Sequence, residues 1–379
     1  MHICIIRPTI ALLEWNRVLS MANANGCTTM VSKTNKIAVK IIRKIVFFLT
    51  LKMTLLTLTG CETSMNKFDW LASESAPEGF PMRIIEGNFY DSKGGSLYIP
   101  TKAGIHHGWG TAVSTHIVGA DKKPLPNRFD ILCFSYAENV FYGGEFDLPY
   151  EHILALFKSK YYSPRTAEDA TFRKLVAGVT PGGYVTVWAV GIGRQIEVFK
   201  GQLDKIDVPW TRVLDNPNVS REDYIESSLK EALSDVQYQQ IKQGKIPFGI
   251  WEKYAQRFPW KPKVIGLDSP DLIRDIEFFN GERDYYSLDH GNDWNDREHT
   301  IPQKLTFKWK ADGLSAVKAT FTFDFDDISR AFNEIKQQTQ APFYLTFDIQ
   351  RQKNGRIAYA INLTSEDIIV PLRKVGIEH

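Results

Sequence analysis

Apolar and polar residues alternate in short runs along much of the chain, and the runs predict strands over Met82–Glu86, Ser96–Ile99, Ala112–Val118, Phe129–Tyr136 and Asn139–Phe146. The period then changes. Asp147-Leu-Pro-Tyr-Glu151 offers an N-cap aspartate, an early proline and a first-turn acid, and Ile153, Leu154 and Phe157 follow at helical spacing, so a helix is expected to about Lys160. Lys174–Val179 and Tyr184–Val190 return to alternation across Thr180-Pro-Gly-Gly183, a turn signal, and Ile196–Phe199 predicts a further strand.

The same order recurs near the carboxyl terminus. Leu132-x-Phe134-x-Tyr136 matches Leu305-x-Phe307-x-Trp309, and Phe146-Asp147 before Ile153 and Phe157 matches Phe323-Asp324 before Ile328 and Phe332. Gly183–Val198 aligns without gaps on Gly355–Val370, which sets Val185 on Ile357, Val187 on Tyr359, Ala189 on Ile361 and Ile196 on Ile368. The expectation is an α+β fold: two related modules, each an antiparallel sheet with one covering helix, joined by a helical spacer. Shared periodicity between unrelated strands is the competing explanation. In the spacer, Ser220 and Asp223 resemble a capping box with a shortened acid, and Ile225, Leu229, Ala232 and Val236 share one face of a helix that Gly244 and Pro247 end. The boundaries read as 80–206 for the first module, 207–262 for the spacer and 263–379 for the second module.

The first 60 residues read as an address rather than as fold. Lys33, Lys36, Lys40, Arg43 and Lys44 precede the apolar run Ile45–Leu51, which continues through Met53–Leu58 with Lys52 inside it. That is the order of a secretory signal, and it is too short for the roughly 20 apolar residues of a spanning helix. Leu58-Thr59-Gly60-Cys61 resembles a bacterial lipobox, with cleavage after Gly60 and lipid on Cys61. Residues 1–29 add nothing to the signal, and Met30 stands where a start codon gives a conventional leader, so an over-extended gene start is expected. Residues 61–79 then read as a lipidated tether. Glu62, rather than Asp, after the cysteine favours an outer-membrane anchor facing the periplasm.

Charge changes meaning once this leader is set apart. The whole chain has 46 Lys+Arg and 44 Asp+Glu, but residues 1–60 hold eight bases and one acid, which leaves 61–379 with a net of −5. No global basic field remains to attract nucleic acid. Of four cysteines only Cys133 lies in the body, where Ile131-Leu-Cys-Phe134 marks it as a small core residue.

Candidate chemistry is sparse. No Gly-x-Ser-x-Gly elbow, Walker loop, His-Glu-x-x-His or Gly-x-Gly-x-x-Gly occurs, so the sequence offers no local reason to propose a catalytic residue, a cofactor or an enzyme. His106-His-Gly-Trp-Gly110 with His116 supplies three imidazoles, yet adjacent histidines of an extended chain diverge, and no metal site is proposed. Asp289–Asp296 lacks the EF-hand order and reads as a solvated loop. His106, His107 and Trp109, and the pair Phe141-Tyr142, are candidate partner-binding residues: exposed aromatics beside glycine suit protein contacts, and one member of an adjacent pair on a strand should face away from the core.

Ile84–Tyr90, Ser96–Pro100, His107–Gly110, Pro124-Leu-Pro126, Phe134-Ser-Tyr136, Phe146–Pro149 and Pro181-Gly-Gly183 together resemble a family of bacterial lipoproteins carried as a domain of unknown function, the 2931 type, over roughly residues 67–375. The resemblance implies a cell-envelope lipoprotein and no activity. Some relatives stand beside type VI secretion effectors, which implies a secreted toxin such as a lipase as partner and immunity as the role. A general envelope lipoprotein, and a hydrolase of an envelope polymer, are the alternatives.

Overall fold

The alternating runs condense into sheets in a computed structural model that describes residues 66–379, apart from 102–103, 267–272, 287–293, 295–296, 310–316, 353–355 and 379. The leader, Gly60, Cys61, Gly355 and all of the Asp289–Asp296 loop but Trp294 lie outside the described residues. The architecture is mostly strand, α+β, with several antiparallel sheets and few helices.

In the first half the strands of the larger sheets are β1 (Leu71–Ser75), β2 (Met82–Tyr90), β3 (Ser96–Tyr98), β4 (Arg128–Ser135) and β5 (Val140–Asp147), then, after helix α1 (Tyr150–Lys158), β6 (Phe172–Val179), β7 (Tyr184–Gly191), β8 (Arg194–Gln202) and β9 (Asp204–Ile206), while Lys67–Phe68 with Lys123–Pro124 and Tyr161–Ser163 with Glu168–Ala170 form two short ribbons. Three spacer helices follow: α2 (Arg221–Ala232), α3 (Asp235–Lys242) and α4 (Ile250–Tyr254). The second half has β10 (Trp260–Ile265), β11 (Ile273–Phe278), β12 (Arg283–Tyr286), β13 (Pro302–Trp309) and β14 (Val317–Phe323), helix α5 (Phe325–Gln338), and β15 (Phe343–Arg351), β16 (Ile357–Ser365), β17 (Ile368–Pro371) and β18 (Val375–Glu378).

Pairing places β9-β5-β4-β2-β3 in one five-stranded sheet and β10-β15-β16-β17 in a four-stranded one. The nine-stranded sheet runs β1-β6-β7-β8-β12-β11-β13-β14-β18 and crosses from one half to the other at β8–β12. Cut at that point, it yields β1-β6-β7-β8, in which β1 is parallel to β6, and its order is that of β10-β15-β16-β17, in which β10 is parallel to β15. Likewise β9-β5-β4-β2-β3 has the order of β18-β14-β13-β11-β12. Ile153, Leu154 and Phe157 of α1 are buried between the two sheets of the first half, and Ile328, Ala331, Phe332 and Ile335 of α5 are buried in the core of the second.

Several expectations need correction. The tether ends sooner than residue 79: Trp70 is buried, and β1, paired parallel to β6 at one edge of its sheet, is buried from Ala72 to Ser75. Asp147 belongs to β5, so α1 starts at Pro149 without a side-chain cap and stops at Lys158, whereas Asp324 does cap α5 by accepting from Asp327 N. The spacer helix breaks at Leu233, because Ser234 and Gln237 form a complete capping box that starts a new helix and leaves Val236 exposed. The spacer itself ends before 262, since Trp260–Ile265 is a strand of the second half.

Residues Phe141 and Tyr142 are both interior. Phe141 joins Phe134, Val213, Ile225 and Leu229 under the spacer helices, and Tyr142 faces the opposite core with Ile131 and Cys133. The five-stranded sheet is covered on both faces, so neither aromatic is left over for a partner.

Candidate functional site

The loop carrying His106–Gly110 leads to the junction of the two halves. Gly110 has φ +79 and lies against Gly281, φ +84, so closely that a Cβ on Gly110 would stand 2.6 Å from Gly281 O. The backbone that these glycines admit is thus the chain's own, not a partner's. Gln195 Nε2 seals the contact by donating to Gly110 O at 2.8 Å and Gly281 O at 2.6 Å. Trp109 is half-buried, edge-on to Trp188 with centroids 4.7 Å apart, and Trp188 Nε1 donates to Asn280 O at 3.2 Å.

Behind this contact lies a set of buried charges drawn from both halves. Arg194 Nε meets Asp284 Oδ1 at 3.1 Å, Arg257 Nη2 meets Glu282 Oε1 at 3.0 Å and Glu197 Oε1 at 3.5 Å, and Arg297 reaches Asp284 and Glu282. The side chains of Glu282 and Asp284 are 2% and 1% exposed, so each anion depends on these guanidinium groups for solvation. Burial and then the neighbouring Glu282 push the Glu197 carboxyl up to about 7, although Arg257 opposes them. Burial also acts to raise Glu282, but Arg257 and Arg297 outweigh it and hold that carboxyl below the ordinary range. His152 is held below the usual histidine value by burial first and then by Arg297 and Arg257.

A cleft of about 910 Å³ opens beside this network, with Leu148, Pro149 and His152 on one wall, Glu197 and Lys200 of β8 on another, and Arg257 and Arg297 at one end. The sequence reading missed this site, because its charges come from β8, α4's C-terminal flank, β12 and the loop before β13, and no short spacing unites them. One signal was present: Glu282 and Asp284 are acids two apart beside a strand, and they therefore share a face.

The predicted partner residues divide between places. His106 lines a smaller cleft of about 420 Å³ with Tyr136, Tyr224, Ser228 and Glu231 of α2's neighbourhood, and its ring stacks on the exposed His107 at 5.3 Å. Burial, then His107, holds His106 below the usual histidine value. His116 is elsewhere, with Nδ1 2.7 Å from Tyr98 Oη. Among the described residues no group of three or more His, Cys, Asp or Glu is placed to hold a metal ion.

No curated protein and no solved structure matches the chain. A family model described as a protein of unknown function, DUF2931, matches residues 58–249, which takes in the first half and most of the spacer and stops short of β10, well before the residue 375 that the motif resemblance reached. With just over half of its length matched, the chain belongs to the DUF2931 family.

Proposed function

We propose that the chain is a non-catalytic, lipid-anchored binding protein of the periplasm, held to the outer membrane through Cys61. The anchor is supported by the basic and apolar order that ends at Leu58–Cys61. Binding is supported by one observation above the others: the open cleft at the junction, whose walls come from two halves clamped by buried ion pairs, so that its shape is held before a partner arrives. The partner that the motif resemblance suggests is a secreted effector such as a lipase, with this chain conferring immunity. Cells that make the protein should survive the effector encoded beside it, and cells that make the Cys61→Ser variant should lose both fatty-acid labelling and most of that protection. Equal survival with and without the wild-type protein would leave a general envelope role instead.

We infer in addition that residues 71–206 and 260–378 are two copies of one module, supported by the shared strand order and by the parallel first strand in each. A second functional reading, hydrolysis of an envelope polymer, has a single observation in its favour: Glu197, held near 7 at the wall of the cleft, is suited to proton transfer. A hydrolase screen comparing wild type with Glu197→Gln decides it, since activity lost in the variant alone would establish catalysis.

A further inference from the structure

Strand β8 spans Arg194–Gln202, yet among the described residues it pairs with β12 only at Gln195↔Arg283. The edge that faces the second half is therefore taken for one residue pair and then released. Glu197 N, the next outward group, donates to Glu282 Oε1 at 2.9 Å. A bulge follows, between the pairs Trp188↔Glu197 and Val187↔Phe199. Beyond it Val187↔Phe199, Val185↔Gly201 and the bond from Leu203 N to Gly183 O fix the phase of the ladder. In an antiparallel pair such residues alternate with ones whose backbone groups point away. Lys200 and Gln202 thus turn their N–H and C=O groups from β7 toward the open side, and Lys200 forms part of the cleft wall.

The surroundings specify what fits there. The edge already accepts one antiparallel strand at its Gln195 end, so an added strand would continue an existing line of pairing. Leu148, Pro149 and Phe199 offer apolar contact on one side. The exposed Lys200 has no ion-pair partner among the described residues, and Arg257 and Arg297 stand at the β12 end with part of each side chain in solvent. A bulge and a lysine discourage another copy of the chain from pairing here, while an incoming strand with an acid opposite Lys200 turns the deterrent into a contact.

We propose that the edge of β8 from Val198 to Gln202 takes an extended acidic segment of a partner protein as an added antiparallel strand. Main-chain bonds to Lys200 and Gln202 supply the pairing, Lys200 selects the acid, and Leu148 and Phe199 receive the alternate apolar side chains. The proposal rests on the reading of the chain as a binding protein and adds to it the form of the bound segment.

The test uses the full protein and two synthetic pentapeptides, acetyl-Thr-Val-Asp-Val-Thr-amide and its counterpart with Lys in place of Asp, read by hydrogen exchange and by a binding titration. The Asp peptide should slow exchange across 198–203 and bind about tenfold tighter than the Lys peptide. Lys200→Glu, at an exposed position that leaves the fold intact, should invert that ratio. Unchanged exchange at 198–203 under saturating peptide, protection at another segment instead, or a ratio indifferent to Lys200→Glu would each overturn the proposal. Cell protection reports on the parent reading separately: protection retained by Lys200→Glu, with no footprint on β8, removes the strand-addition site and keeps the binding protein, whereas wild-type cells that are unprotected remove the immunity reading whatever the footprint.

Discussion

Glu197 is a residue whose chemistry departs from what its position in the sequence implies. Its carboxyl is pushed up to about 7, from an ordinary value of 4.5, so the folded protein binds a proton there more tightly than the unfolded chain does. The sign follows: this group favours folding at low pH, and its contribution falls as pH rises from about 4.5 to about 7. Glu282, held low, acts in the opposite sense and in a separate window, losing its contribution as pH falls below the ordinary carboxylate range. Glu197→Gln should therefore narrow the difference in melting temperature between pH 5 and pH 8, and melts at those two values check it. Trp109 is set half-buried against Trp188 and Tyr184, and its truncation to Ala should cost about 3 kcal/mol of stability, the low end for a large aromatic, as urea titration would show. Single residues of this kind were only partly legible in the sequence. Phe141-Tyr142 looked like a pair with one member to spare because alternation assigns a face without saying what covers it, and α2 covers the face that would otherwise be solvent.

Elements were read better than their registers. Val185 and Ile357, matched from sequence, each stand at a hairpin's closing pair, Val179↔Val185 in one and Arg351↔Ile357 in the other. The next hairpin closes at Gly191↔Arg194 in the first half and Ser365↔Ile368 in the second, because β16 is longer, so Ile196 and Ile368 stand two residues out of step. A shift of two keeps the face. A shift of one does not, and the match of Leu132 and Phe134 to Leu305 and Phe307 is of that kind: Ile131↔Gly144 and Leu305↔Phe321 are the equivalent pairs, counted from Phe146 and Phe323. Leu132 and Phe134 face the spacer helices, and a strand apolar on both faces gives the eye two equally good alignments. Capping differs as well between matched positions. Asp324 accepts from Asp327 N at 3.0 Å, while Asp147 is exposed within β5. Asp324→Ala should cost about 1 kcal/mol and Asp147→Ala should stay within about 0.5 kcal/mol, as parallel denaturation curves would show.

At the scale of the whole molecule the question is why the sheets of the two halves join at the edges they do. The join is heterologous: β8, the last strand of one sheet in the first half, meets β12, the edge of the other kind of sheet in the second. The corresponding outer edges are β3 and β17, and neither carries the ionic set. Asp284 lies opposite Ile276 where Ile99 lies opposite Gly87, so the acids of β12 are replaced by Leu97 and Ile99, and Pro100 follows with no N–H to give. At the other end Ile368 stands where Arg194 stands in β8. The buried charges thus distinguish the edges that pair from the outer ones. None of this was legible from periodicity, because the join rests on one backbone pair and on side chains as far apart in sequence as Glu197 and Arg257 or Arg194 and Asp284. Asp284→Ala tests the account. It removes the acid that Arg194 and Arg297 share, and breaking a buried pair of this kind should cost roughly 3–5 kcal/mol. Because the loss falls on the join, calorimetry should show one transition for the wild type and two for the variant, the second half melting apart from the first. A variant that is destabilised but still unfolds in one step would show that the Gly110–Gly281 contact and the Gln195 bridge hold the halves together without the charges.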